Sequence, residues 1–121
     1  MPILAVDDNA AHCYALSRVL SSEGFSVLHA HTVREAEVLT EAQRPRLILL
    51  DVHLPDGNGY EFCRRIKSDP KTAGIKVVIH TATDANWSGK QEAEAAGASA
   101  FLTYPITRKN LVAVIRGVLA K

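Results

Sequence analysis

At 121 residues, with 47% hydrophobic and 22% charged side chains, the chain suits one soluble globular domain with a single core and excludes a disordered segment. Its formal net charge of +1 comes without any basic cluster, which excludes direct nucleic-acid reading, and no apolar run approaches the length of a membrane span. Cys13 and Cys63 stand far apart, form no CxxC pair and follow no signal sequence, so reduced thiols in the cytoplasm are expected.

Ile3 to Val6 is a short apolar strand closed by Asp7 and Asp8. Asn9 can cap a helix from Ala10 to about Glu23, where Leu16, Val19 and Leu20 recur at helical spacing and Gly24 marks the stop. Ser26 to Ala30 reads as a second strand. Thr32 and Glu35 then make the capping box of a helix that runs to about Gln43, ahead of Pro45. Leu47 to Leu50 is an uninterrupted apolar run, suited to a strand covered on both faces, with Asp51 at its carboxyl end and a Pro- and Gly-rich loop beyond.

A third helix, Tyr60 to Ser68, carries Phe62, Cys63 and Ile66 on one face and stops before Asp69 and Pro70. Lys76 to Thr81 is the fourth strand. A fourth helix over Asn86 to Ala96, ended by Gly97, offers mostly alanine at its apolar positions. At about 25 cal/mol per Å² it is held less firmly than its neighbours. Ala100 to Thr103 is the fifth strand, and Leu111, Val114, Ile115 and Val118 mark the inner face of a last helix. Strands alternating with helices through right-handed crossovers give an α/β domain, a parallel sheet covered on both faces.

The chemistry gathers at the strand ends, since open α/β sheets bind ligands outside their carboxyl edge. Taken alone, Asp51 could simply begin a turn. The second acidic strand end shifts the balance. With the first and third strands adjacent at about 4.8 Å, Asp7, Asp8 and Asp51 share one edge. Two carboxylates roughly 5 Å apart repel by about 3 kcal/mol at an effective dielectric of 20, so three together call for a cation. Mg²⁺, which takes oxygen ligands and one or two carboxylates plus a phosphate oxygen, fits that need. Beside the strand-end hydroxyl of Thr81, the trio points to phosphoryl chemistry on a carboxylate.

The pieces AVDDN, LLDVHLPDGNGYE, VVIHTA and GASAFLTYPI, in this order and spacing, resemble the receiver domain of two-component response regulators along essentially the whole chain. The resemblance implies a flavodoxin-like fold with strand order 2-1-3-4-5 and a phosphorelay switch based on an aspartyl phosphate. It makes Asp51 the phosphoacceptor, supplied by a histidine kinase or histidine phosphotransfer protein. Asp8, Asp51 and the backbone carbonyl of His53 become direct Mg²⁺ ligands, with Asp7 acting mainly through water. Thr81 becomes the switch hydroxyl, assisted by backbone N–H groups near His53 and Ala82, and Phe101 the switch aromatic. Downstream contacts, and a homodimer where one forms, fall to the face of the fourth helix, fifth strand and fifth helix.

One departure stands out. The family places a lysine before the proline that follows the fifth strand, and here that residue is Tyr104, before Pro105. Tyrosine offers a neutral phenol in place of a cation. The carboxylates thereby lose a local counter-charge, which raises reliance on Mg²⁺ and can raise an Asp pKa. Two readings follow: a receiver still phosphorylated on Asp51 with altered output, favoured because every other site residue is present, or a pseudo-receiver that acts by docking. The Tyr104–Pro105 bond is compatible with a cis geometry.

A small Mg²⁺-dependent phosphatase shares the acidic strand-end design, but its second Asp two residues after the nucleophile is here His53, so an enzyme is not expected. None of the five histidines, His12, His29, His31, His53 and His80, pairs with the cysteines at a zinc-like spacing, and no histidine metal site is expected. His53 borders the site by resemblance. His80 reads as a packed core residue pointing away from Thr81, and Trp87 as a partner anchor or a cover for apolar surface. Residues 1–121 thus read as one receiver domain, standing alone or forming a module of a larger regulator or hybrid kinase.

Overall fold

The computed structural model describes residues 1–81 and 87–121, with the side chains of residues 87 and 88 left aside. Among these residues seven strands and five helices follow in order: β1 (Ile3–Val6), α1 (Ala10–Ser22), β2 (Val27–Ala30), α2 (Val33–Gln43), β3 (Leu47–Asp51), β4 (His53–Leu54), β5 (Gly57–Asn58), α3 (Gly59–Ser68), β6 (Lys76–Thr81), α4 (Trp87–Ala95), β7 (Ala100–Thr103) and α5 (Arg108–Leu119). Five of the strands form a parallel sheet in the order β2-β1-β3-β6-β7. This is the flavodoxin-like 2-1-3-4-5 arrangement that the family resemblance implies, since β6 and β7 are the fourth and fifth strands of the sheet; the alternation of strands and helices gives its parallel sense.

Side-chain alternation divides the core into two layers. Ile3, Leu47, Leu49, Val78 and Leu102 face α1 and α5, where Leu16, Leu20, Leu111, Ile115 and Val118 cover them. Leu4, Val6, Ile48, Leu50, Val77 and Ile79 face the other way, against Ala36 of α2, Phe62, Cys63 and Ile66 of α3 and Ala93 of α4. The apolar stripes read from helical periodicity are the stripes that pack. Among the described side chains of α4 the buried residues are small, Gly89 and Ala93, with Ala96 just beyond.

The elements begin and end for local reasons. Asn9, Thr32, Asn58 and Thr107 each turn a side-chain oxygen to a backbone N–H in the first turn of α1, α2, α3 and α5. Glu35 reaches back past the cap and accepts from the N–H of His31 at 3.2 Å, one residue before the Thr32 N–H that a capping box would use. Gly24 follows α1 at φ 92°, and α2 ends at Arg44, which itself takes φ 47°. The loop after Asp51 departs from expectation by folding into a small antiparallel hairpin, His53–Leu54 against Gly57–Asn58. At its tip Asp56 accepts hydrogen bonds from the N–H groups of Val33 (2.7 Å) and Arg34 (3.1 Å), tying the start of α2 to this loop. These bonds hold the Asp56 carboxyl below the usual carboxylate range.

The hairpin returns the chain tightly against the end of β3. The N–H of Gly59 donates to the carbonyl of Val52 at 2.8 Å. A Cβ at Gly59 would collide with the carbonyl oxygen of Asp51 and come within 2.9 Å of the Val52 Cα. Only glycine permits that approach, so Gly59 fixes where the Asp51 backbone sits.

Candidate functional site

The sheet register brings the polar strand ends into one row. Val6 pairs with Leu50, which places Asp7 beside Asp51, and Asp51 pairs directly with His80. Asp7 and Asp51 continue the parity of Ile3, Leu47 and Leu49, and His80 that of Val78, so all three project to the α1–α5 side of the sheet. Asp8, exposed on the turn into α1, completes the acidic group. Carboxylate oxygens of Asp7, Asp8 and Asp51 lie within 4.8 Å of one another.

The trio is electrostatically costly. Asp51 is pushed up to about pKa 6, first by burial and then by the neighbouring carboxylates of Asp7 and Asp8, while the N–H groups of Val52 and His53 oppose the shift. Asp51 is thus the carboxyl whose pKa rises, with burial the first cause and the neighbouring carboxylates the second. Carboxylates this close and this poorly screened suit a hard divalent cation, and receiver domains bind Mg²⁺ at an acidic pocket of this kind.

Asp7 is the most enclosed member, 2% exposed. One of its oxygens accepts from the N–H of Asn9 at 3.0 Å, and the other is hydrogen-bonded to His12 Nδ1 on the first turn of α1. Its backbone carbonyl accepts from the His31 ring at 2.9 Å. His12, set aside with the other histidines in the sequence, is thus a direct partner of the acidic site. Helical periodicity gives no hint of this, because the contact is made across the turn between β1 and α1.

Tyr104 follows β7 and is joined to Pro105 by a cis peptide bond. Its hydroxyl lies 2.6 Å from His80 Nδ1 and 3.3 Å from His12 Nδ1. Burial, then the charges of Asp7 and Asp51, push the phenol well above its ordinary pKa, so it stays protonated and can donate. Burial, then His12, lowers His80 to about pKa 3 and leaves it a neutral acceptor. His80 is fully buried, as expected, but its ring is engaged with Tyr104 beside Asp51 rather than with apolar neighbours alone.

Thr81 is also fully buried and belongs to the opposite parity of β6. Phe101, half-buried on β7, packs against the core layer beneath α2, α3 and α4 and borders a recess of about 160 Å³ shared with α4. The His53 side chain is exposed on the hairpin, with its N–H toward Asp51. Ala82 and the side chain of Trp87 lie outside the described residues. Cys13 and Cys63 are free and buried, both raised to about pKa 11 chiefly by burial, as inert structural thiols are. A recess of about 400 Å³ between α2 and α3 is lined by Thr40, Phe62 and Ile66 and contains none of these strand-end residues.

The fold and site define a doubly wound α/β domain with an acidic trio at its carboxyl edge, and comparison with known proteins gives the family. Residues 3–116 match the response regulator receiver domain, and the chain belongs to that family of two-component signalling proteins. It is 33% identical to the protein PilH of Pseudomonas aeruginosa, over 98% of this chain and 97% of that one. It is 40% identical to the response regulator PleD of Caulobacter vibrioides, over 94% of this chain but only 25% of PleD. Among solved structures, a response regulator from Chloroflexus aurantiacus superposes over the full length of both chains with a TM-score of 0.94 and 30% identity. A CheY-like receiver from Methanospirillum hungatei covers 98% of this chain and 93% of its own, with a TM-score of 0.90 and 28% identity. Among the described residues no helix is long and apolar enough to cross a membrane.

Proposed function

We propose that residues 1–121 form one cytoplasmic receiver domain that accepts a phosphoryl group on Asp51 and relays the change through protein contacts. The observation that carries this reading is the convergence of the Asp7, Asp8 and Asp51 carboxylates at the carboxyl edge of β1 and β3. Asp8, Asp51 and the backbone carbonyl of His53 would hold Mg²⁺, with Asp7 behind them, and the ion supplies charge neutralisation for the entering phosphoryl group. A carboxylate oxygen of Asp51 attacks phosphorus as the bond to the donor's leaving group breaks, giving a mixed anhydride. The donor is a phosphohistidine on a histidine kinase or phosphotransfer protein.

The product replaces a charge of about −1 by about −2 and adds acceptor oxygens. Thr81 and the N–H groups near His53 and Ala82 are the donors that answer it. The Thr81 carbonyl already accepts from the N–H of Tyr104 at 3.3 Å, so movement of β6 reaches the β7–α5 turn directly. Phe101 and the alanine-packed α4 carry the change to the α4–β7–α5 face, where a downstream protein or a second copy docks.

Tyr104, in the place of the family's lysine, brings no charge to the phosphoryl group. A second reading, a docking module that is not phosphorylated, draws on the engagement of the Tyr104 hydroxyl with His80 and His12 rather than with Asp51. Intact mass after incubation with acetyl phosphate and Mg²⁺ separates the two. A gain of one phosphoryl group that requires Mg²⁺ and vanishes in Asp51→Asn supports the phosphoacceptor. No gain in the native chain, with a gain in Tyr104→Lys, supports docking.

A further inference from the structure

We propose that His12, His80 and Asp7 form a second cation site, separate in donor chemistry from the acidic trio, that takes a borderline divalent ion such as Zn²⁺. One ligand atom from each residue lies within 4.8 Å of the other two. In a tetrahedral site with bonds of about 2.0–2.1 Å, ligand atoms stand about 3.3 Å apart, so closure requires movements on the order of 1 Å. The Tyr104 hydroxyl, bonded to His80 Nδ1 and 3.3 Å from His12 Nδ1, already bridges the space between the two imidazoles.

The donor sets separate the two sites. Asp7, Asp8 and Asp51 offer oxygen alone, which favours Mg²⁺. Two imidazoles with one carboxylate favour zinc, copper or nickel, for which nitrogen ligands are preferred. His80 is rigidly placed on β6 and fully buried, and an ion bound at its Nδ1 takes the place of the Tyr104 hydroxyl there. His12, about one-third exposed at its side chain, provides the side open to solvent. Asp7 belongs to both groups, and occupation of one site therefore weakens the other. The proposal does not depend on whether Asp51 is phosphorylated.

The test is calorimetric titration of the full chain with Zn²⁺, with and without excess Mg²⁺, followed by nitrogen-detected NMR of the histidine rings. The expected result is one tight Zn²⁺ per chain, with resonances of His12 and His80 shifted and those of His29 and His53 unmoved. Affinity should fall by at least roughly tenfold in His12→Ala, whose partly exposed site leaves the fold intact, and change little in Asp8→Asn. Added Mg²⁺ should weaken Zn²⁺ apparently, through Asp7. Equal affinity in His12→Ala, loss of binding in Asp8→Asn, or no binding at all would each overturn the proposal.

Discussion

The two sides of the sheet reach the same carboxyl edge with opposite chemistry. On the side of α2, α3 and α4, Val6, Leu50 and Ile79 are apolar and pack against Phe62 and Cys63, and only the Thr81 hydroxyl beyond Ile79 is polar among them. On the α1–α5 side the last positions of three adjacent strands are Asp7, Asp51 and His80. One residue of offset along a strand decides which side receives the charge. The apolar side supplies stability, and the polar side gives some of it up to hold carboxylates close together.

That contrast can be broken first on the apolar side. Phe62→Ala removes a ring that is 2% exposed and should cost about 3–5 kcal/mol in urea unfolding. On the polar side the sign reverses. Asp51 has its pKa raised from 3.8 to about 6, so the folded chain binds more protons than the unfolded one between those values. Its contribution to stability therefore falls as pH rises from about 4 to 6, by about 3 kcal/mol at most. Without Mg²⁺, Asp51→Asn should be more stable than the native chain at pH 7, by about 2 kcal/mol, and the difference should shrink toward pH 4.

His80 sharpens the same comparison with the opposite slope. Its folded pKa is lowered to about 3, so protonation favours the unfolded chain and stability is lost as pH falls below about 6.5. In the native chain the two slopes partly cancel. In Asp51→Asn the His80 slope should stand alone, and stability measured from pH 4 to 6 should rise more steeply with pH than in the native chain. Asn58→Ala tests the smallest effect, the cap that starts α3 after the hairpin. Loss of its bonds to Tyr60 (2.8 Å) and Glu61 (3.4 Å) should cost about 1 kcal/mol.

The layered fold was legible because each major element carries a period: four apolar residues before Asp51, and Phe62, Cys63 and Ile66 on one helical face. Boundaries shifted by a residue or two where a cap, not the apolar pattern, decides the end, as with Gly59 and Asn58 at the start of α3. The hairpin of His53–Leu54 and Gly57–Asn58 is not legible in the sequence, because two-residue strands are too short to show alternation. Asp7, Asp8 and Asp51 were legible as strand ends. His12 and His80 were not legible as site residues, since their contacts with Asp7 and Tyr104 depend on the register of β3 with β6 and the packing of α1. Tyr104 is legible in the sequence only through the family resemblance, as a residue standing where a lysine is expected.

The most direct test of the central claim is borohydride reduction after treatment with a phosphodonor and Mg²⁺, with peptide sequencing by mass spectrometry. An acyl phosphate on an aspartate is converted to homoserine at that position alone. The account predicts homoserine at residue 51, dependent on Mg²⁺ and absent at Asp7 and Asp8. Homoserine at either of those residues, or at none of the three, would contradict it.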